Sequence, residues 1–334
     1  MDNKTEPIRL EEGGRKAPTP LAGSILYLLV LLLMMLNSMV SQRIRPAGNF
    51  YYIYMLLVQI ATIGLPPFLY LTIHRMDIRK TVRWNKIRIS EALLCVGMAF
   101  FGYGVIVFIN LLWTLFLNRF GTPPAQQLPP IESGSDFLVS VIVIAGIPAL
   151  LEEFLFRGTI QRGYERFGKT ASILLTGILF ALLHLDIASI PSILLMGMLL
   201  CFLTYRADSL FAGAIYHFTN NILAVTITYL SGVISRRFPM EGVADSLTDI
   251  PPDALKMAVA AWGVTGIISF VLFLGCLIGF YRITEGKQKV LPADPDHAPS
   301  RRFLQLFPAI LAVVVILILL AFQVVEMIHP LPAL

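Results

Sequence analysis

Nine apolar stretches divide this chain: 21–41, 50–73, 90–117, 137–160, 171–189, 190–206, 209–230, 255–281 and 304–328. A helix rises 1.5 Å per residue, so about 20 apolar residues reach across the hydrocarbon of a bilayer. No water is there to pair with a free amide, so the backbone must satisfy itself. The pattern predicts an all-α, polytopic transmembrane helix bundle of about nine spans. Only 14% of the residues are charged and 56% are hydrophobic, where soluble domains carry about 25% charged residues. The fifth and sixth stretches are parted only by Leu185-Asp186-Ile187-Ala188-Ser189-Ile190-Pro191.

Lysine and arginine choose the side of the membrane. With the N-terminus in the cytoplasm, 20 of the 26 basic residues fall inside. Arg75, Arg79, Lys80, Arg83, Lys86 and Arg88 share one loop, and Arg157, Arg162, Arg166 and Lys169 another. Outside remain Arg43, Arg45, Arg119, Arg236, Arg237 and Lys256. This asymmetry predicts an N-in, C-out protein of a cytoplasmic membrane, bacterial by expectation. The first twenty residues are polar and of mixed charge, unlike a cleaved signal, and read as a retained tail. The basic residues form no aromatic-interleaved face of the kind nucleic acid requires. Cys95, Cys201 and Cys276 each sit in an apolar stretch with no CxxC spacing, so neither a disulfide framework nor a cysteine zinc site is indicated.

The chain divides into a tail (1–20), a three-span region (21–136), a core (137–230), and a last part (231–334) of one outer loop, two spans and their linker. The loops 119–136 and 231–254 are rich in proline, glycine and acids, and 283–302 is a polar cytoplasmic linker.

Ionisable groups inside the apolar spans mark the place where chemistry is expected, because each costs several kcal/mol unless paired or hydrated. Glu152 and Glu153 stand together in FLVSVIVIAGIPALLEEFLF, residues 137–156, and His184 and His217 also fall within spans. Helical rise puts Glu152 about 16 Å from the cytoplasmic end of its helix, His184 about 18 Å along its own, His217 about 12 Å and Asn221 about 18 Å. Three helices thus bring acid, imidazole and amide to a similar depth, in one cavity open to the cytoplasm. Glu153 and Arg157 are four apart and share a face as an ion pair. Glu152 is rotated about 100° away and is free to act. Pro148 lies one turn before Glu152, where it removes a helical hydrogen bond and predicts a kink. His217 and Asn221 are again four apart.

Glu152-Glu153-x-x-x-Arg157, Phe180-x-x-x-His184 and His217-x-x-x-Asn221, in that order and each on an apolar span, resemble the CPBP family of intramembrane proteases. That family joins the CAAX prenyl protease 2, or Rce1-type, enzymes with the Abi-type bacterial proteins. The resemblance covers roughly residues 137–230. It implies a membrane endopeptidase in which Glu152 activates water with His184 as its partner, and His217 and Asn221 stabilise the oxyanion. Glu153 and Arg157 are then structural support. The partners implied are the lipid bilayer and a peptide or lipidated protein substrate.

Two schemes of water activation stay open. In one, Glu152, His184 and His217 hold a divalent metal such as zinc with a fourth place for water. In the other, the glutamate acts without metal. No HExxH or GxSxG occurs, which sets aside the zincin and serine-hydrolase patterns. A non-catalytic immunity or scaffold protein on the same fold is the alternative. A transporter would show inverted repeats and broken helices in corresponding halves, and none is evident. Phe180 reads as packing, Asn220 as a rival to Asn221, Asp186 as a solvated loop acid, and Glu91 as a span-end residue with no special role.

Overall fold

A computed structural model of the chain describes residues 17–123, 131–238, 251–288 and 299–329. The tail to residue 16 and the middles of the loops expected at 119–136, 231–254 and 283–302 lie outside the described residues. Among the described residues there is no strand. The principal helices are α1 (Pro20–Ile44), α2 (Phe50–Ile73), α3 (Ile89–Leu117), α4 (Gly134–Phe167), α5 (Lys169–Leu183), α6 (Ile190–Ala207), α7 (Leu210–Arg237), α8 (Pro252–Ile283) and α9 (Pro299–Ile328). Eight of them are long and apolar enough to cross a membrane.

The exception is α5, with 15 residues. At 1.5 Å per residue it spans about 22 Å, short of the roughly 30 Å hydrocarbon. The fifth span expected at 171–189 therefore ends early, at Leu183. Leu185 then takes a positive φ of 51°, and α6 starts at Ile190 with proline in its first turn. Broken backbone is tolerated at this depth only where protein groups satisfy it. Here Trp113 Nε1 on α3 donates to the Ile187 carbonyl at 2.8 Å, and Gln323 Nε2 on α9 donates to the Leu185 carbonyl at 2.6 Å. Asp186 is buried rather than solvated as its loop position suggested, and its Oδ1 accepts from Ala188 N at 3.0 Å.

Contacts between segments distant in sequence establish the alternation of the helices. Arg83 pairs with Glu165 and Asp208, Arg206 Nη2 donates to the Tyr281 carbonyl, and Lys287 pairs with Glu91. The segments at 83–91, 165, 206–208 and 281–287 therefore meet at one end of the bundle. The other end gathers Trp113, Ile187 and Gln323, and Arg236 with the Glu132 carbonyl. Short as it is, α5 forms an antiparallel hairpin with α6, so the alternation survives.

The largest buried ionic cluster ties that first end together. Arg83 Nη1 lies 2.6 Å from Glu165 Oε1 and Arg83 Nε 2.8 Å from Asp208 Oδ1. Burial alone would lower the basicity of Arg83; Glu165 and Asp208 outweigh it and hold the guanidinium above its ordinary value. Replacing Arg83 with methionine strands carboxylates that keep only Arg162 and Asn85 as partners. Removing one partner of a buried pair costs about 3–5 kcal/mol, so Arg83→Met is expected to lower the thermal midpoint in detergent by several degrees. An unchanged melt would contradict a structural role for the cluster. Glu91, which looked unremarkable at a span end, is fully buried between Arg88 Nε at 2.7 Å and Lys287 Nζ at 2.6 Å.

The apolar core lies around the cytoplasmic half expected for α4. Tyr27 and Leu31 of α1, Phe156 and Tyr164 of α4, Phe180 of α5, Leu200 of α6 and Tyr216 of α7 are all buried within it. Polar tips inside it are paired: Tyr27 Oη donates to the Leu179 carbonyl at 2.9 Å, and Ser24 Oγ meets Tyr164 Oη at 3.0 Å. Near Pro148, where a kink was expected, α4 widens into a π-helical segment, Val141–Gly146, before an α segment at Ile147–Leu155 and a second π segment at Phe156–Ile160. A proline cannot donate to the carbonyl four residues back, and the wide turn before it absorbs the mismatch. α2 repeats the device, with a π segment at Ile60–Gly64 before Pro66 and Pro67. The two wide turns are linked by Gln59 Nε2 donating to the Val143 carbonyl at 3.1 Å.

Candidate active site

The two glutamates lie on the short α segment between the two wide turns of α4. Adjacent residues on a helix point about 100° apart, and the two carboxylates meet different surroundings. Glu153 is fully buried, with Arg157 Nη1 donating to its Oε1 at 2.8 Å. The same oxygen accepts from His217 Nδ1 on α7 at 3.0 Å. Glu152 keeps 16% of its side chain exposed, and its Oε2 lies 3.9 Å from His217 Nε2. His217 thus stands between the two acids.

Arg157 is fully buried and anchored by more than Glu153. Its Nη2 donates to the Gly197 carbonyl on α6 at 3.1 Å, and its guanidinium carbon lies 4.3 Å from the centre of the Phe180 ring. A cation over an aromatic face is attracted by the ring quadrupole. A Cβ on Gly197 would come within 2.9 Å of Phe180 and 3.1 Å of the Gly177 carbonyl. Glycine there lets α6 approach closely enough for its carbonyl to meet the arginine.

Phe180 links the two histidines. Its ring centre lies 4.7 Å from that of His184 and 6.0 Å from that of His217, edge-on in both cases. His184 is the residue that caps the end of α5, not a residue inside the helix as the expected span implied. Its Nδ1 lies 2.8 Å from the Phe180 carbonyl. A carbonyl only accepts, so Nδ1 carries the proton. The Glu153 carboxylate, paired with arginine, likewise takes the Nδ1 proton of His217. Both imidazoles are therefore fixed through Nδ1, the arrangement in which a second group sets the tautomer, and Nε2 of His217 faces Glu152.

Asn221 sits one turn beyond His217 on α7, half-buried, and is hydrogen-bonded to none of the other site residues. The Oδ1 of its neighbour Asn220 is buried with no partner among the described residues. Among the described residues no group of three or more histidine, cysteine and acidic side chains is placed to hold a metal ion. The set Glu152, His184 and His217 does not fit a three-ligand centre in this arrangement.

Three contacts of the site had no motif to announce them: the Gly197 carbonyl, Thr204 and Gly213. Gly213 lies four residues before His217 and so on its face of α7, a spacing visible in the sequence. Gly197 and Thr204 are brought in by the packing of α6, for which the sequence carries no local signal.

Comparison with protein families matches residues 134–223 to the type II CAAX prenyl endopeptidase Rce1-like family. This segment is similar to that family's domain. The match begins with α4 and ends in the middle of α7, so the domain holds both glutamates, Arg157, both histidines and Asn221. Neither the curated proteins nor the solved structures gave a match. The matched family is described as one of type II CAAX prenyl endopeptidases.

Proposed function

We propose that this protein hydrolyses a peptide bond in a lipidated or membrane-associated substrate, with water activated by Glu152 and no metal. The observation that carries the reading is the position of His217: its Nδ1 is bound to the buried Glu153–Arg157 pair and its Nε2 is 3.9 Å from the half-open Glu152 carboxylate. A base, an oriented imidazole and a polar amide one turn away supply what amide hydrolysis requires.

Glu152 takes a proton from water as its oxygen attacks the scissile carbonyl, with His184 as partner. The tetrahedral oxyanion accepts hydrogen bonds from the Asn221 amide and from Nε2–H of His217, which enters the reaction as imidazolium and keeps that proton to the end. Collapse breaks the C–N bond, and the proton held by Glu152 passes to the leaving amine. Glu153 supports His217⁺ throughout, as a buried carboxylate supports imidazolium in serine proteases. The basic asymmetry of the loops supports an N-terminus in the cytoplasm and a site entered from that face.

The purified protein in liposomes is expected to cleave a prenylated peptide ending in a CAAX sequence, and to do so equally after exhaustive chelation. Mass spectrometry of the products reads the first outcome. Loss of the activity on chelation and its return with zinc would overturn the metal-free route. Failure to cleave the prenylated peptide would remove this substrate class.

A further inference from the structure

Thr204 and Gly213 belong to none of the three motifs, yet both border the Glu153 carboxylate. Oxygen Oε1 of Glu153 takes two donors, Arg157 and His217. Oxygen Oε2 is buried and takes none among the described residues, and Thr204 Oγ1 is likewise buried without a partner. The two atoms border one spot: a Cβ on Gly213 would stand 2.5 Å from Glu153 Oε2 and 2.6 Å from Thr204 Oγ1. A buried acceptor and a buried donor left unmatched cost free energy separately and recover it together.

Other threonines satisfy their hydroxyls locally, with Thr176 alone sharing the buried, partnerless state of Thr204 among the described residues. Thr62, Thr72, Thr219 and Thr284 donate to the carbonyl four residues earlier, at 2.7, 2.8, 2.7 and 2.6 Å. That local bond is the usual resting place of a threonine hydroxyl in a helix. Thr204 does not make it to Leu200. Its proton is left for another acceptor, and a carboxylate oxygen is the strongest acceptor at hand.

We infer that Thr204 is a positioning residue whose hydroxyl donates to Glu153 Oε2, directly or through one water, across the gap that Gly213 keeps open. The inference rests on the reading of His217 as an active-site group. With Oε1 tied to Arg157 and His217, and Oε2 to Thr204, the carboxylate cannot turn about its Cγ–Cδ bond. His217 then keeps Nε2 aimed at the space beside Glu152. The methyl group of Thr204 is not required; the hydroxyl is.

The test compares Thr204→Val, which keeps the shape and removes the hydroxyl, with Thr204→Ser, on the prenylated CAAX peptide. Thr204→Val is expected to lower kcat about tenfold with KM unchanged, as for one hydrogen bond to a charged group. Thr204→Ser restores most of the rate, and Thr204→Val adds nothing further to Glu153→Gln. The carboxylate stretch of Glu153, isolated by subtracting the infrared spectrum of the matching Glu153→Gln protein, shifts in Thr204→Val and not in Thr204→Ser. A band that does not move, or a Thr204→Val kcat equal to the unaltered protein's, overturns the inference. Glu152→Gln in the same assay reports on the protease reading separately. If it is active, that reading falls. If it is inactive while Thr204→Val is unaffected, only the role of Thr204 falls.

Discussion

Glu152→Gln is expected to abolish hydrolysis while leaving the melting behaviour of the protein unchanged. The two halves of this result have one cause. Glu152 is the acid of the pair that keeps some exposure, its nearest cationic partner is His217 at 3.9 Å, and its Oε2 has no hydrogen bond among the described residues. That distance exceeds a hydrogen bond, so the fold draws little support from the charge. Glutamine fills the same volume and carries no charge to desolvate, which leaves stability within about 0.5 kcal/mol, as for substitutions that break no named interaction. Chemistry is a different matter. A general base contributes about a hundredfold to ten-thousandfold, and an amide cannot take the proton. Glu153→Gln is the control: it should lower both rate and stability, since it removes the negative charge that holds two buried donors. A Glu152→Gln protein that still cleaves the prenylated peptide would end the proposal for this residue.

The second large effect is on the fold. Arg157→Leu leaves the Glu153 carboxylate fully buried with only His217 beside it. Breaking a buried pair from one side costs about 3–5 kcal/mol, much of the stability of a marginally stable protein. The arginine also gives up the Gly197 carbonyl and the face of Phe180. Activity falls with stability, which alone would say little. The informative protein is the double variant Arg157→Leu/Glu153→Gln. Removing the stranded charge should return at least half of the lost stability, because the penalty was that of an uncompensated ion. Activity should not return, because His217 has lost the carboxylate that orients it. Thermal melts and cleavage assays on the same preparations read both. Recovery of activity in the double variant would show that the pair serves only packing.

Much of this architecture is legible in the chain because lipid leaves few choices. Apolar runs of about 20 residues must be helices. The spacing of Glu153 and Arg157 puts them on one face by helical geometry alone, and they pair there. Pro148 announces a disturbed turn, although only the fold shows that disturbance as a widened segment and not a simple bend. The end of α5 was misplaced because the 171–189 run is nearly unbroken in hydropathy. Hydropathy does not report that Trp113 offers its indole N–H and Gln323 its amide to free carbonyls, and that offer is what permits the break. For the same reason Asp186 looked solvated and Glu91 unremarkable: burial of an acid depends on partners from distant segments.

The sequence by itself determined eight of the nine expected spans, the two ends of the bundle with their unequal share of basic residues, and three polar motifs at similar depth. These follow from one-dimensional facts, because helical rise and periodicity convert residue number directly into depth and face. Only the tertiary structure decided which helix lies beside which. It set His217 between Glu152 and Glu153, put Phe180 against both histidines, and placed Thr204 Oγ1 and the second oxygen of Glu153 both beside Gly213. Side-by-side order in a bundle is fixed by close packing of small residues such as Gly197 and Gly213, and no local pattern in the chain encodes which neighbour each of them admits.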